Sequence, residues 1–171
     1  MDNLSINNTT NNPAVLQVAE DINVVIVGLY TYFNVPVRIL HPLADRIDGV
    51  KAHTIFYKNY DSNLFSLPTE KEEKLFLDTI IKINPKIVAI SLLSPYVLIA
   101  KRITELVKKH TGAVVIWGGV GPTITPDEHI KHTDVICIGE GERSFEELIL
   151  AVRDKKDYSN IKNLWVNDGS K

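Results

Sequence analysis

Apolar residues in this chain form short, β-branched runs that alternate with stretches whose apolar positions recur every three or four residues. Each run has the length and composition of a buried strand. The five runs cover residues 22–27, 53–57, 87–92, 113–117 and 134–138. The stretches between them, and one after the last, place apolar side chains on one face, as amphipathic helices do. This alternation predicts an α/β protein with a parallel sheet.

Local sequence marks where several of these helices begin and end. Thr69 and Glu72 have the spacing of a capping box, and Pro85 lies beyond the end of the helix they open. Ser94 precedes Pro95 as an N-cap precedes proline at the first helical position. Gly112 follows the basic last turn of that same helix. These residues favour helices between the second and fourth strands.

The predicted architecture has three layers, with a Rossmann-like sheet between helices. Right-handed crossovers leave few topologies for five parallel strands, and the flavodoxin-like order 2-1-3-4-5 is favoured. We expect residues 1–20 to form a disordered lead-in, because they are rich in Asn and Thr. Residues 21–155 then form the domain, and residues 156–171 are predicted to be a linker toward a further domain.

Composition narrows the class of protein. The 171 residues are 44% hydrophobic and 23% charged, which fits one globular domain. Nineteen basic and 21 acidic residues give a net charge of −2, so a strongly basic nucleic-acid binder is excluded. Cys137 is the single cysteine, which excludes a disulfide framework and an iron–sulfur cluster held by this chain alone. No membrane span and no signal peptide are recognisable, and we expect a cytoplasmic protein.

The candidate chemistry lies in the turns that follow the strands. In an open parallel sheet the ligand crevice lies beyond the carboxyl ends of the strands. Two of these turns, at 118–123 and 139–142, are rich in glycine, which lets a ligand approach the backbone closely. The turn after the first strand has only Gly28, so it lacks a dinucleotide fingerprint. Ser91 stands where a receiver domain would carry its aspartate, and a P-loop lysine pattern is absent.

Three segments resemble a known family. Ser91 to Leu93, followed by Gly118 and Gly119, resemble the Ser-x-Leu and Gly-Gly pair of cobalamin-binding domains. Residues 117–128 are similar to the GGxHPTxxPE segment of cobalamin-dependent radical SAM proteins. Residues 134–148 resemble their segment that contains GEGE and FxEL. Together the resemblance extends over about residues 21–168.

The resemblance implies a cobalamin-binding module with no catalysis of its own. A radical SAM domain would follow in the same chain and supply S-adenosylmethionine and a 4Fe–4S cluster, for methyl transfer or another radical reaction. The nucleotide tail of cobalamin would lie between the sheet and the later helices, with Leu93, Tyr30 and Tyr96 beneath the corrin. The cofactor-binding residues that we predict are Tyr30, Ser91, Leu93, Ser94, Gly118, Gly119, Pro122, Thr123, Gly139, Glu140 and Gly141.

The sequence departs from the family pattern at two places. The loop at 28–33 lacks the histidine with which many cobalamin domains ligate cobalt, so the corrin would bind without a protein imidazole. Gly121 stands where the radical SAM group often has histidine. We predict no catalytic residue and no metal ligand in this chain.

Other interpretations remain open. The chain is alternatively a degenerate flavodoxin-like domain that serves as a docking surface, or an isolated flavin- or nucleotide-binding domain. His129 and His132 are conceivable ligands of a surface metal, and Cys137 a conceivable nucleophile, although an apolar strand cysteine is usually inert. Glu140 and Glu142 are conceivable acid–base groups, although Glu142 also suits the first turn of a helix.

Overall fold

The protein is described by a computed structural model that covers residues 20–30, 33–59 and 66–169. One sheet holds six strands in the order β2-β1-β3-β4-β5-β6. The strands are β1 (Ile22–Tyr30), β2 (Val50–Asn59), β3 (Ile87–Ser91), β4 (Val114–Gly118), β5 (Val135–Cys137) and β6 (Leu164–Val166). The first five are parallel, which confirms the predicted order.

The sixth strand corrects the expectation of a five-stranded sheet. β6 pairs antiparallel with β5 and lies within residues 156–171, the segment that we predicted to be a linker. Leu164 is buried, and the side-chain amide of Asn167 donates to the carbonyl oxygens of Ile130 and Thr133. A strand of three residues carries too weak a pattern to be recognised in the sequence. The predicted lead-in lies, apart from Glu20, outside the described residues.

The helices are α1 (Val35–Asp45), α2 (Glu70–Ile83), α3 (Val97–His110), α4 (Val120–Ile124), α5 (Pro126–His129) and α6 (Glu142–Arg153). The sequence also predicts a helix start at Thr125 and Pro126, and α5 begins there. The short helix α4 forms within the glycine-rich turn predicted at 118–123. Ser94 does not cap α3 with its side chain, because it begins a 3-10 turn at Ser94–Tyr96 instead. The capping box of α2 is formed as predicted by Thr69 and Glu72. No described helix is long and apolar enough to cross a membrane.

Helices cover both faces of the sheet. α2 and α3 bury Phe76, Ile80, Ile99, Ile103 and Val107 on one face. The other face packs against α1 and α6, which contribute Val37, Ala44, Phe145, Leu148 and Ile149. Since β1 lies between β2 and β3, the chain order reverses there, and the adjoining carboxyl edge is where a ligand crevice is expected.

Candidate functional site

Strand register aligns the predicted site residues in a row across the sheet. Gly28 pairs with Ser91, and Ser91 pairs with Gly118, at the carboxyl edge. Side chains alternate between the two faces of a sheet, so these positions share one face with the residues two places earlier in each strand. Those residues form a second row that lies one step deeper: Ile26, Ala89 and Ile116.

A cavity of about 470 Å³ lies over these two rows, on the face covered by α1 and α6. Val35, Ile39 and Leu40 of α1 form one wall. The opposite wall comes from α4, from the loop 139–141 and from the first turns of α6, with Phe145 as its deeper member. Seven of the predicted residues line this cavity: Ser91, Gly118, Gly119, Thr123, Gly139, Glu140 and Gly141.

Gly118 and Gly119, at the end of β4, are glycine for two different reasons. Gly119 has φ of +106°, and a Cβ there would lie 2.8 Å from the carbonyl oxygen of Leu92, so no side chain fits. A Cβ on Gly118 would meet only Cys137, at 3.7 Å, an ordinary van der Waals contact. The fold therefore requires Gly119, whereas Gly118 leaves open space above the sheet.

Thr123 joins the two glycine-rich loops. Its hydroxyl donates to the carbonyl oxygen of Gly119 at 2.8 Å and accepts from the backbone N–H of Gly139 at 3.0 Å. The side chain thus ties the start of α4 to the loop after β5. Thr123 organises the cavity mouth, and its hydroxyl proton is already used within the protein.

Ser91 offers the polar group that remains at the centre of the edge row. It ends β3 between Gly28 and Gly118 and is partly exposed. Within the described part of the chain, its hydroxyl takes part in no hydrogen bond to another side chain or to the backbone. This hydroxyl is therefore positioned to donate to, or accept from, a polar group of a bound ligand.

Cys137 is a buried core residue that also lines the cavity. It lies beside Gly118 in the edge row, and a Cβ on Gly141 would come within 3.3 Å of its Sγ. Burial raises the pKa of its thiol to about 11, and the carboxylates of Glu142 and Glu140 add to the effect. A thiol with so high a pKa stays protonated near neutral pH, which speaks against a nucleophile.

Four predicted residues do not line the cavity. Tyr30 is buried on the α2 and α3 face, where its ring packs 4.8 Å from that of Tyr96 and its hydroxyl donates to the carbonyl oxygen of Ser66. Leu93 and Ser94 are exposed beyond the end of β3, and Pro122 is buried within α4. A contact between these four and a cofactor stays a prediction.

Most of the apolar surface of the cavity comes from residues that were not predicted from the sequence. The missed apolar residues are Ile26, Val35, Pro36, Ile39, Leu40, Ala89, Ile90, Ile116, Val120, Ile124 and Phe145. Three of the strand members, Ile26, Ala89 and Ile116, carried a usable signal, because each lies two positions before an edge residue. The helix members carried no such signal, since an exposed apolar residue such as Val35 or Ile124 cannot be assigned to a cavity until its neighbours in space are known.

Histidine does not contribute to the cavity. All five histidines belong to the described part of the chain, and none of them lines it. His129 is buried beside Trp117, and its Nδ1 lies 2.7 Å from the carbonyl oxygen of Thr125. Across residues 20–30, 33–59 and 66–169, no three His, Cys, Asp or Glu side chains are grouped closely enough to hold a metal ion.

Two proteins of known structure contain a domain with the same fold as this chain. One is the radical S-adenosylmethionine methyltransferase TsrM from Kitasatospora setae, solved with cobalamin and a 4Fe–4S cluster bound. It has 16% identity and a TM-score of 0.67, over 84% of this chain and 27% of that one. The other is the cobalamin-dependent S-adenosylmethionine radical enzyme OxsB, with 16% identity and a TM-score of 0.65, over 90% of this chain and 22% of that one.

This chain thus spans about a quarter of the length of these proteins. A comparison with curated proteins finds no match. A model of the B12 binding domain matches residues 59–149, which is more than half of the chain and includes the edge residues of β3, β4 and β5. The chain belongs to the B12-binding domain family.

Proposed function

We propose that this chain binds cobalamin, with the nucleotide tail in the cavity and the corrin at the carboxyl edge of the sheet. The observation that carries the proposal is the open space above Gly118. Ser91, Gly118 and Cys137 form a row of small side chains, and the space above them continues over Ala89 into the cavity. A ligand with a long, narrow extension fits such a slot.

The chemistry of the cavity also fits this ligand. Val35, Ile39, Val120 and Ile124 at its mouth expose large apolar surfaces to solvent. A macrocycle that covers such surface removes it from water, which stabilises the complex by roughly 25 cal/mol for each Å² of apolar surface buried. The Ser91 hydroxyl supplies a polar contact, and Thr123 holds the two loops in place around the entrance.

The proposal extends to a larger enzyme. The chain is a cobalamin module without catalysis of its own, joined in the same polypeptide to a radical SAM domain that holds S-adenosylmethionine and a 4Fe–4S cluster. When bound, the cobalt of cobalamin supplies the methyl-transfer or radical chemistry, while the module supplies position and shielding. The likeness of this fold to TsrM and OxsB supports this extension.

Titration with hydroxocobalamin, followed by absorbance and equilibrium dialysis, tests the proposal. We expect saturable binding to the chain and at least a ten-fold loss of affinity in Gly118→Val. The β-branched side chain suits a strand, and the fold has room for its Cβ, so the substitution fills the cavity without unfolding the sheet.

Gly112→Val is the matched control. Gly112 lies before β4 at the opposite edge of the sheet, and a Cβ there would meet nothing within 4 Å. This variant is expected to bind as the unmodified chain does. Failure of the unmodified chain to bind hydroxocobalamin would contradict the proposal and favour a docking domain. A histidine nitrogen on cobalt, seen by electron paramagnetic resonance of the reduced complex, would contradict the binding mode without a protein imidazole.

A further inference from the structure

The inner half of the cavity is apolar. Its floor is the deeper row of Ile26, Ala89 and Ile116, and its walls are Leu40 of α1 and Phe145 of α6. None of these five side chains carries a nitrogen or oxygen atom. The polar side chains that line the cavity lie at the carboxyl edge or at the start of helices: Ser91, Thr123, Glu140 and Glu142.

Chain direction places the two walls at the same depth as this floor. α1 and α6 each begin near the carboxyl edge and run back along the sheet, because each follows a strand that ends there. Leu40 comes more than one turn after the start of α1, and Phe145 about one turn after the start of α6. Both therefore lie inward of the mouth, opposite the deeper row.

The backbone at this depth offers no substitute polar partner. Ala89 of β3 is paired with Ile26 of β1 on one side and Ile116 of β4 on the other, in parallel ladders. Their N–H and C=O groups are used by neighbouring strands, and those of Leu40 and Phe145 by helical hydrogen bonds. A polar ligand atom buried here would lose its hydrogen bonds to water and find no hydrogen-bond partner in the protein.

From this arrangement we infer that the cavity selects among cobamides by the base of their nucleotide tail. The inference rests on the proposed function. The cavity favours an apolar base such as the dimethylbenzimidazole of cobalamin and disfavours adenine, whose exocyclic amine and ring nitrogens need hydrogen-bond partners. An unmatched polar group in an apolar pocket lowers affinity by about 10- to 100-fold.

Ala89 is the residue that sets the space and polarity at the centre of the floor. It is 5% exposed and stands between two isoleucines, so it forms a notch in an otherwise filled row. A hydroxyl at this position would provide the partner that adenine lacks. Ala89→Ser therefore changes polarity there by one atom, at little cost in volume.

Binding of three corrinoids to the chain tests the inference: cobalamin, adeninylcobamide, and cobinamide, which has no nucleotide tail. Equilibrium dialysis gives the dissociation constants. We expect cobalamin to bind at least about 10-fold more tightly than either of the other two. In Ala89→Ser we expect the dissociation constant of adeninylcobamide, divided by that of cobalamin, to fall by at least three-fold.

Ala113→Ser is the matched control, because Ala113 is buried on the opposite face of the sheet. It is expected to leave the ratio unchanged, and thermal melting of both variants checks their folding. Equal affinities for the two cobamides, binding of cobinamide as tight as that of cobalamin, or a ratio that Ala89→Ser does not move would each overturn the inference while leaving cobalamin binding in place. Absence of binding by all three corrinoids would contradict the proposed function itself.

Discussion

At the scale of single residues, burial alone does not separate a core side chain from a cavity wall. Cys137 is 5% exposed, as a core cysteine would be, yet it lies beside Gly118 in the row that lines the slot. Tyr30 shows the opposite case: it was predicted to contact the cofactor, but the irregularity between Leu29 and Tyr30 turns its side chain under α2 and α3. The two residues are told apart by the face of the sheet that each one occupies.

The thiol of Cys137 gives a reporter of the cavity, because it is the single cysteine of the chain. With its pKa raised to about 11, we expect labelling by methyl methanethiosulfonate at pH 8 to be roughly 100-fold slower than for a free cysteine. Cyanocobalamin at saturation should slow it further, by ten-fold or more, because the bound tail would cover the Sγ atom. Mass spectrometry after timed quenching measures both rates.

Cys137→Ser should incorporate no label, which verifies the site. Labelling as fast as that of free cysteine, and unaffected by cyanocobalamin, would place the thiol outside the proposed tail-binding slot.

At the scale of elements, the start of α2 concentrates polar interactions on one carboxylate. Glu72 accepts from the backbone N–H of Thr69 at 2.7 Å and from the ammonium of Lys58 at 2.9 Å. The Lys58 side chain is only 10% exposed. The helix that crosses over from β2 to β3 is thereby fixed to the strand that precedes it.

These contacts predict an acid-dependent loss of stability. The backbone hydrogen bond from Thr69 and the Lys58 ammonium lower the pKa of Glu72 to about 2, from an ordinary value of 4.5. The lowered pKa contributes stability that is complete above pH 4.5 and is lost as the pH falls toward 2. Glu72→Gln keeps a capping oxygen but removes the charge. We expect its free energy of unfolding at pH 7 to be about 1 kcal/mol lower, since solvent screens a carboxylate that is 37% exposed.

Urea denaturation between pH 7 and pH 2.5 measures the effect, and the gap to the unmodified chain should close as the pH falls. Glu70→Gln, which removes an exposed carboxylate from the same first turn, is the control with the same change in net charge. Equal losses in the two variants would show that the Lys58 and Thr69 contacts do not stabilise the fold.

At the scale of the whole molecule, the segment after α6 completes both the sheet and the site. β6 covers the edge of β5, a strand of only three residues. The backbone N–H of Ile138 donates to the carbonyl oxygen of Asn163 at 2.9 Å, directly before the glycine loop of the cavity. The Ser144 hydroxyl of α6 donates to the carbonyl oxygen of Lys162 at 2.8 Å. The loop and helix on one side of the cavity therefore depend on the last residues.

Truncation after Lys155 should lower both stability and cobalamin affinity. Loss of the buried Leu164 side chain lowers the free energy of unfolding by about 2 kcal/mol. This corresponds to a melting temperature lower by about 5 °C or more. Differential scanning calorimetry measures this change, and hydroxocobalamin titration should show weaker binding because Ile138 loses its anchor. A chain that ends at Asp168 retains β6 and serves as the control. Equal melting temperatures for the two truncations would mean that β6 is dispensable.

The strand order, the parallel sheet and the turns that bring Ser91, Gly118 and Gly139 to one edge were all predictable from the amino-acid sequence. This is so because the alternation of buried runs with amphipathic helices, combined with right-handed crossovers, admits few arrangements. The capping box of α2 was equally predictable, since it depends on two residues that are three positions apart in the sequence.

The full set of side chains that share the cavity became visible in the folded protein alone. Strand register selects the face on which the deeper row lies beneath the edge row. Regular alternation would place Tyr30 on the same face as Ile26, but the irregularity between Leu29 and Tyr30, where φ of Tyr30 is +60°, turns its side chain to the opposite face. The use of the Thr123 hydroxyl between two loops, the α1 wall and the pairing of β6 are contacts between residues distant in the chain. Such contacts depend on register and helix packing, which local sequence patterns do not encode.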